Sequence, residues 1–433
     1  MVKKIFSKIV IVFIIAFMVI ILGKAYTSPT MDIKNKDMEW NIIYKGLKNS
    51  RDFAVDEEDN TFIAFKNKIQ MIDKLGQSRI IYEKKDLDIY DIEYFKGNIY
   101  IATDNRILGL NVRSGEVNEI LKDMPNKGDY KKVCLIAYGG KLYASIGSAT
   151  NAGVVGEDNK WLKEEPYFHD TTPIDIVLRG KNFNNETTGA YSSYNTKTKE
   201  DEVIKSSMPA NSSLISYDFS TKKWTLYCYG VRNLESMDYN SNGEIYGTVG
   251  GIEPRGIRGI EGDSDYIYEL KSGKWYGWPD YSGGDPIISP RFTSSTKEAM
   301  EYVMKKHPTS NPEVPYYEHS SLSSLGTMAV DRDGTLGEKD SIYFYDRHDK
   351  IVYSLGKKGT AKEKIKLNNG DINSLHFTEK SLRVLDADTG VLYDITKAES
   401  GMIKPINNAT LYGSIIIISA MAIAFILKNV RGR

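Results

Sequence analysis

Residues 90–103 read Tyr-Asp-Ile-Glu-Tyr-Phe-Lys-Gly-Asn-Ile-Tyr-Ile-Ala-Thr, and this stretch decides the fold. Two runs rich in aromatic and β-branched residues flank a short polar turn that contains Gly97, which predicts a β-hairpin. The same pattern of strand, tight turn and strand recurs over residues 52–65, 133–146, 234–249, 326–346 and 372–386. Six copies of one hairpin predict a repeating all-β architecture.

Most of the hairpins continue into two further strands, for example 106–112 with 116–121 and 265–270 with 274–278. Four-stranded units that repeat along a chain are typical of a β-propeller. The sixth unit has only three strands before residue 403, and the missing strand is available at 39–47. The predicted fold is therefore all-β, a six-bladed β-propeller closed by an N-terminal strand. The alternative, a pair of unrelated β-domains, leaves the strand at 39–47 without a role.

Apolar segments without charges lie near both ends of the chain, at 9–23 and 411–427. With their flanks, each is about the 17 or more residues that a membrane-spanning helix needs. Basic residues flank both segments on their terminal sides, so the positive-inside rule predicts cytoplasmic termini and an extracytoplasmic propeller. A cleaved signal peptide is the alternative for the first segment, and a buried core helix is the alternative for the second.

The predicted organisation follows from these segments. Its parts are a transmembrane anchor at 1–24, a linker at 25–38, the propeller at 39–400 with insertions at 147–212 and 279–324, a linker at 401–410, and a transmembrane helix with a basic tail at 411–433.

The charge balance of the chain limits the kinds of partner that we expect. The chain has 57 basic and 57 acidic residues, so nothing favours nucleic acid. The expected partners are the membrane and a carbohydrate or another small polar ligand.

Cys134 and Cys228 are predicted on the first and fourth strands of one blade, about 14 Å apart at the usual strand spacing. That distance is too long for a disulfide, so two free, buried thiols are predicted.

Loop lengths predict which face of the propeller carries function. All turns between the first and second strands are short, whereas the long excursions 147–212, 250–264 and 279–324 are predicted on the opposite face. Long loops on a rigid scaffold commonly carry binding residues. The excursion at 147–212 is interpreted as a lid or wall over the central channel, with a disordered spacer as the alternative.

Blade four begins with Gly-Val-Arg-Asn-Leu-Glu-Ser-Met-Asp-Tyr at 230–239 and is followed by Gly-Lys-Trp-Tyr-Gly-Trp-Pro at 273–279. These motifs resemble the glucose/sorbosone dehydrogenase family, which includes aldose dehydrogenases that use pyrroloquinoline quinone and calcium. The resemblance implies a six-bladed propeller over about 39–400. It also implies that Arg232 and Asn233 lie at the channel mouth and touch the quinone.

Several family positions hold other residues in this chain. Asp129 stands where the family has its catalytic histidine, a dozen residues before the Lys-Leu-Tyr strand of blade three. The quinone-binding lysine of blade five falls near His348, and the arginine pair before blade six falls near 369–371, where the chain has no arginine. The calcium-holding Glu-His-Gly-Pro is replaced by Gly-Gly-Ile-Glu-Pro at 250–254. Cofactor identity therefore stays open, although the resemblance implies quinone and calcium.

The candidate catalytic residues are Asp129 as a base and Arg232 as the group that polarises the substrate oxygen. The candidate cofactor-binding residues are Arg232, Asn233, Arg255 and Arg258. Arg255 and Arg258 belong to a glycine-rich loop at 250–262, which predicts either an anion site or a flexible surface loop. No metal-binding residue is assigned, because no two of the five histidines have metal-ligand spacing.

Two further motifs have alternative interpretations. An aromatic cluster could stack on a sugar ring or pack at a blade edge; its members are Trp275, Tyr276, Trp278 and Tyr281. The acidic stretches that begin at Asp331 and Asp386 are interpreted as polar turns, because the later bidentate glutamate of an EF-hand is missing.

Three hypotheses for function follow. The first is a membrane-anchored binding or recognition module on a dehydrogenase scaffold. The second is a divergent quinone-dependent oxidoreductase acting on a sugar or polyol. The third is a lyase or lactonase that uses a metal in the same channel, against which the lack of a histidine cluster counts.

Overall fold

The computed structural model describes residues 31–34, 37–296, 299–357 and 359–398. The apolar segments predicted at 9–23 and 411–427 lie outside these residues. Within the described ranges no helix is long and apolar enough to cross a membrane. The helical structure in these ranges is a single 3-10 turn, Lys160–Lys163, and the rest is β-strand and loop.

Six sheets form the six blades; five of them have four strands and the sheet of blade five has five. The N-terminal strands are β1 (Met31–Ile33) and β2 (Met38–Lys45), and they belong to the last two blades. Blade one is β3 (Ser50–Val55), β4 (Thr61–Phe65), β5 (Lys68–Ile72) and β6 (Ser78–Glu83). Blade two is β7 (Ile89–Phe95), β8 (Asn98–Thr103), β9 (Ile107–Asn111) and β10 (Val117–Leu121).

Blade three contains the excursion 147–212 between its second and third strands. Its strands are β11 (Leu135–Tyr138), β12 (Lys141–Ile146), β17 (Ser213–Asp218) and β18 (Lys223–Tyr229). The excursion forms two small sheets from β13 (Ile176–Val177), β14 (Asn182–Phe183), β15 (Thr188–Gly189) and β16 (Val203–Ile204).

Blade four differs from the prediction in its outer strand. Its strands are β19 (Leu234–Tyr239), β20 (Ile245–Val249), β22 (Tyr266–Leu270) and β26 (Tyr317–Glu318). The loops between them carry β21 (Ile260–Glu261), β23 (Tyr281–Ser282), β24 (Asp285–Pro286) and β25 (Thr293–Ser294).

The segment 274–278, predicted as the fourth strand of blade four, instead runs parallel to the end of β18 in blade three. Tyr229 donates its backbone N–H to Lys274 O at 3.1 Å, and Tyr276 donates its own to Tyr229 O at 2.9 Å. This path buries Trp275 and Trp278 in an apolar cluster, which a solvent-facing edge strand would not do. The third excursion therefore lies within blade four, between β22 and β26, and not between blades four and five.

Blades five and six close the ring as predicted. Blade five is β27 (Leu325–Asp331), β28 (Ser341–Asp346), β29 (Ile351–Leu355) and β30 (Ala361–Leu367), with β1 as a fifth strand. Blade six is β31 (Ile372–Phe377), β32 (Leu382–Asp386) and β33 (Val391–Lys397), completed by β2. Met38 pairs with Lys397 and Lys45 pairs with Val391. The six-bladed propeller and its closure by an N-terminal strand are confirmed, and the segment predicted as a linker at 25–38 includes β1.

Side chains on the innermost strands tie neighbouring blades together. The Asp52 carboxylate accepts from the Ile92 N–H of the next blade at 2.9 Å, and Glu93 accepts from the Ala137 N–H of the third at 3.0 Å. Asp238 in blade four accepts from the N–H of residue 330 in blade five at 2.8 Å. Because each bond crosses a blade boundary, the polar residues of these strands fix blades to one another as well as lining the axis.

The innermost strands also share a local irregularity. In five blades the pairing of the first and second strands shifts register near the start of the first strand. Such a bulge places an extra residue that turns away from the ladder. The skipped residues Arg51, Tyr90, Glu235 and Asn373 all line the cavity on the channel axis. The bulges thus direct side chains toward the axis.

The three excursions pack on one another around a shared apolar core. It joins residues of all three, including Phe183, Tyr191, Ile260, Trp278 and Met304, each less than a tenth exposed. Burial of each such side chain contributes about 1.5–3 kcal/mol. The excursion 147–212 is therefore a packed wall and not a spacer.

Candidate functional site

The Gly-x-Arg-Asn motif at 230–233 follows β18 and leads into β19. Gly230 has φ +72°, and a Cβ there would lie 2.3 Å from the Trp275 ring. Only glycine fits this close approach in a left-handed conformation. The motif glycine thus lets the 274–278 segment lie against blade three and places the following arginine under the excursions.

Arg232 is almost fully buried, at 4% exposure, and its guanidinium is held by protein groups. Nε donates to Asn151 O at 3.1 Å, Nη1 donates to Gly250 O at 3.2 Å, and Nη2 donates to Asn151 Oδ1 at 2.7 Å. Nη2 also donates to the Tyr130 hydroxyl. Burial lowers the pKa of Arg232 to about 10, against the opposing charge of Glu253. This arginine joins the excursions of blades three and four.

Asp129 lies in the same network, and both of its oxygens are engaged. Oδ1 accepts from Trp161 Nε1 at 2.9 Å, and Oδ2 accepts from Asn159 Nδ2 at 2.9 Å. Arg255 Nη2 lies 2.8 Å from the same Oδ2. A carboxylate whose oxygens already face three donors offers little free lone-pair capacity for proton abstraction.

Arg255 bridges the acidic groups of this network. Its Nε pairs with Glu253, and its Nη1 lies 2.7 Å from Asp158 Oδ2. Nη2 also donates to the Tyr130 hydroxyl at 2.8 Å. The carboxylates of Asp129, Asp158 and Glu253 therefore surround Arg255. The arginine of the glycine-rich loop thus binds protein carboxylates.

Arg258 lies apart from this network, among the buried groups of the excursions. Its Nη2 donates to Asp280 Oδ1 at 3.1 Å and to the backbone oxygen of residue 301 at 2.9 Å. Asp280 also accepts from the N–H groups of Val303 and Met304. The structure thus brings together Asp129, Arg232 and Arg255, and it does not bring Arg258 to them.

Asn233 connects the motif to the channel. Its Nδ2 donates to Glu235 Oε1 at 2.6 Å, and Glu235 lines the channel cavity. Arg347 Nη2 donates to the other Glu235 oxygen at 2.7 Å. His348, near which the family lysine falls, is 82% exposed beside Asp349, so its neighbour Arg347 is the cation that reaches the channel mouth.

The remaining motifs have structural roles. All four members of the aromatic cluster at 275–281 are buried, and the Trp278 indole donates to Asn151 O at 3.1 Å. The Asp331 carboxylate accepts three backbone N–H groups of its own turn, and Asp386 accepts from the backbone N–H groups of Asp371 and Thr389. The blade-edge and polar-turn interpretations therefore describe these residues. Cys134 and Cys228 are free and buried, as predicted.

A cavity of about 230 Å³ lies on the propeller axis, lined by the innermost strands of all six blades. Its charged residues are the carboxyl groups of Asp52, Asp91, Glu93, Glu235 and Asp238, and the basic groups of Arg51, Lys132, Arg332 and His376. The carboxyl groups thus outnumber the lysine and arginine groups.

Two of these carboxyl groups stay protonated more readily than usual. Burial, followed by the nearby charge of Asp52, raises the pKa of Asp91 well above its ordinary value. Burial raises the pKa of Glu93 to about 7. For Asp52 burial acts in the same direction, but the hydrogen bond and charge of His376 outweigh it and lower the pKa. Perturbed carboxyl groups in a cavity mark it as a candidate functional site.

The cavity carboxylates were not among the sequence candidates. Asp91 and Glu93 alternate with apolar residues in the quoted stretch 90–103. In an ordinary half-exposed sheet such residues would face water. One feature of the sequence did indicate that these two residues line the cavity. Both lie on the first strand of a repeat, which is the strand that faces the axis of a propeller.

Comparisons with known proteins support the propeller fold and give less information about the chemistry of the site. No protein-family model matches the sequence, and no curated protein matches it either. Solved structures do match. The PQQ domain of pyranose dehydrogenase from Coprinopsis cinerea has a TM-score of 0.57 at 11% identity, covering 86% of this chain and 98% of its own.

Two further structures agree with that match. A carbohydrate-active enzyme from Trichoderma reesei has a TM-score of 0.59 at 15% identity, with 86% and 98% coverage. The soluble aldose sugar dehydrogenase from Escherichia coli has a TM-score of 0.53 at 12% identity, with 83% and 100% coverage. This chain has the fold of the quinone-dependent sugar dehydrogenases. The family resemblance seen in blade four thus extends to the whole propeller, although identities this low establish the fold alone.

The residues present do not fit the quinone of that family. A quinone with several carboxylates needs unpaired cations. Among the described residues of the cavity wall, the basic groups other than Lys132 lie beside acidic partners. Nor do the described ranges contain three His, Cys, Asp or Glu side chains grouped to hold a metal ion such as calcium. The cavity therefore lacks the set of unpaired cations that the carboxylates of the quinone need.

Proposed function

We propose that this chain is a ligand-binding or recognition module that keeps the scaffold of the sugar dehydrogenases without their quinone chemistry. The observation that carries the proposal is the state of Asp129 and Arg232. The residue at the position of the family base accepts two hydrogen bonds and forms an ion pair with Arg255, and the arginine beside it is buried and bound to backbone oxygens. Both residues support the wall of excursions.

The ligand we propose is a carbohydrate or another small polar molecule bound in the axial cavity. The cavity wall is rich in hydrogen-bonding groups from all six blades, and polar groups that converge on a cavity are the usual means of orienting a small ligand. The bulged residues Arg51, Tyr90, Glu235 and Asn373 are the part of that wall that the fold directs inward.

We also propose that the module is anchored in the membrane through 9–23 and 411–427, with both termini in the cytoplasm. The support is the sequence pattern of apolar length and flanking basic residues. Epitope tags at the two termini and one within the exposed turn 220–222 test it. Protease added outside intact cells should remove the turn tag and spare both terminal tags, and cleavage of a terminal tag would contradict it.

Quinone binding to the purified full-length protein in detergent tests the proposed function. We expect no saturable absorbance change when pyrroloquinoline quinone and calcium are added at micromolar concentration, and no aldose-dependent dye reduction. Thermal protection by a panel of sugars and polyols should then identify a ligand. Stoichiometric quinone binding with aldose oxidation would overturn the proposal in favour of a divergent oxidoreductase, and Arg232→Ala would show whether that turnover depends on the motif arginine.

A further inference from the structure

The charged groups of the axial cavity are not all paired with one another, and Arg51 pairs with Asp88 outside its wall. Arg332 pairs with Asp238, and His376 Nε2 lies 3.7 Å from Asp52 Oδ1. Arg347, above the cavity, pairs with Glu235 at 2.7 Å. These three pairs account for three of the five cavity carboxyl groups.

Asp91 and Glu93 are the two that remain. Glu93 accepts a hydrogen bond from the Ala137 N–H, and Asp91 shares a side-chain hydrogen bond with Asp52, whose charge repels the ionised form of Asp91. Neither forms an ion pair with any described residue. Burial is the main cause of the raised pKa values of both groups, and the nearby charge of Asp52 adds to the shift of Asp91.

Lys132 is the one cavity cation that forms no ion pair within the described part of the chain. It lines the same cavity and lies near Asp91 and Glu235 without contacting either. An ammonium group has three donors and no acceptor. Lys132 can therefore donate a hydrogen bond to an acceptor group of a ligand. Asp91 and Glu93 can accept hydrogen bonds from a donor group of the same ligand.

The size of the cavity allows a ligand larger than a single water. About 10–15 Å³ of such volume holds one water, and this cavity has about 230 Å³. Tyr94 and Phe377 are also in its wall, so the lining has apolar surface for the carbon skeleton of a small molecule.

We propose that the axial cavity binds a small hydroxylated amine, whose protonated amine lies at Asp91 and Glu93 and whose hydroxyl groups reach Lys132. This inference rests on the proposed function and names the ligand class of that site. It inverts the charge preference of the quinone-binding propellers, because a carboxyl group, whether protonated or ionised, offers an anion no positive charge. A cation would instead supply the positive charge that these groups lack.

Proton release is a second consequence of this placement. A bound cation favours the ionised form of the carboxyl groups beside it, so binding near pH 7 should displace protons. The charged groups that face Asp91 and Glu93 from neighbouring innermost strands are Asp52, Lys132, Asp238, Arg332 and His376.

Three linear probes of one size test the proposal by calorimetry on the full-length protein in detergent at pH 7. They are 1-amino-1-deoxysorbitol, sorbitol and gluconate, which end in an ammonium, a hydroxyl and a carboxylate. We expect the amine to bind at least tenfold more tightly than sorbitol, gluconate to bind most weakly, and only the amine to release protons when buffers of different ionisation enthalpy are compared.

Variants at the cavity sharpen the test. Asp91→Asn with Glu93→Gln keeps the shape and the acceptor for Ala137, and it should bring the amine and sorbitol to similar affinity. Lys132→Met removes the donor that the hydroxyl groups reach and also a competing cation, so it should weaken the binding of sorbitol more than that of the amine. Glu119→Gln, on the exposed outer strand of blade two, is the matched control and should change nothing.

Several results would overturn the inference. Equal binding of the amine and sorbitol, or tighter binding of gluconate, would show that the carboxyl groups do not select charge, while the proposed binding function would stand. Absence of binding by all three probes would reject the cavity as the site of this ligand class. The quinone titration remains the separate test of the proposed function.

Discussion

Arg258 and Asp280 form an ion pair in the interior of the excursions, with Nη2 and Oδ1 3.1 Å apart and side-chain exposures of 3% and 0%. Asp280 also accepts two backbone N–H groups and faces His307 Nε2 at 3.0 Å. Removing one partner of a buried, hydrogen-bonded pair leaves an uncompensated charge. The pair therefore holds the fold of the wall above the propeller.

Arg258→Met should lower the free energy of unfolding by about 3–5 kcal/mol, because it strands the Asp280 carboxylate away from water. Chemical denaturation of the purified protein measures the change. Lys205→Met is the matched control, since Lys205 pairs with Asp175 on the surface at 78% and 47% exposure. That change should cost less than about 1 kcal/mol. Equal effects of the two substitutions would contradict a structural role for the buried pair.

Asp129→Asn should lower stability by about 1–3 kcal/mol, because it removes the charge that Arg255 contacts and weakens the bonds from Asn159 and Trp161. Thermal unfolding of the variant measures this loss. Asp175→Asn, at an exposed ion pair, is the control. A variant of unchanged stability that has lost a pH-dependent turnover would instead identify Asp129 as a catalytic base.

Glu93→Gln should stabilise the protein above pH 7. Burial raises the folded-state pKa of Glu93 from 4.5 to about 7, so between these values the folded state binds more protons than the unfolded state. Stability from this group therefore falls as pH rises from about 4.5 to about 7 and stays low above that range.

The gain in the glutamine variant should be about 1–3 kcal/mol at pH 8 and close to zero at pH 4. Denaturation at a series of pH values measures it. Glu379→Gln, on an exposed turn of blade six, should show no such trend. A gain that is the same at pH 4 and pH 8 would show that Glu93 is not the titrating group.

The two thiols should react slowly with a thiol reagent in the native protein. Burial raises the pKa of Cys134 to about 12 and raises that of Cys228 as well, and both are inaccessible. A thiol that is neither ionised nor exposed is a poor nucleophile. Titration should give close to zero reactive thiols per chain before denaturation and two after it. Lys223→Cys on the exposed face of β18 provides the reactive reference, and rapid native labelling of two thiols would contradict the burial.

The sequence predicted the repeating part of the fold because six hairpins and one unpaired strand admit few arrangements. The strand at 39–47 needed a partner, and the sixth blade lacked its outer strand, so β2 beside β33 followed from counting. The outer strand of blade four could not be found this way. Residues 274–278 have strand-like composition, but the collision that a Cβ at Gly230 would make with Trp275 shows that tertiary packing decides their path.

The candidate site was predicted in part. Proximity of Asp129, Arg232 and Arg255 was implied by their place on the excursion face, yet their partners Tyr130, Asn151 and Glu253 come from three separate segments. Sequence spacing does not show that protein carboxylates will form ion pairs with the Arg255 guanidinium. Four of the cavity residues depend on β-bulges, namely Arg51, Tyr90, Glu235 and Asn373. A bulge changes the direction of one side chain without changing the alternation that a pattern search detects.

The pairing of Met38 with Lys397 joins the beginning and the end of the propeller domain. During synthesis, β2 emerges before all the strands of blades one to five except β1, and its partner β33 leaves the ribosome last. Blades one to five contain all their main strands before that point, whereas the sixth is assembled last from both ends. Contacts of such large sequence separation form slowly because the intervening chain must first be ordered. A nascent chain that stops before residue 391 would therefore expose β2 as a long unpaired strand. Synthesis of β33, the last seven residues of the domain, is the step that allows the ring to close.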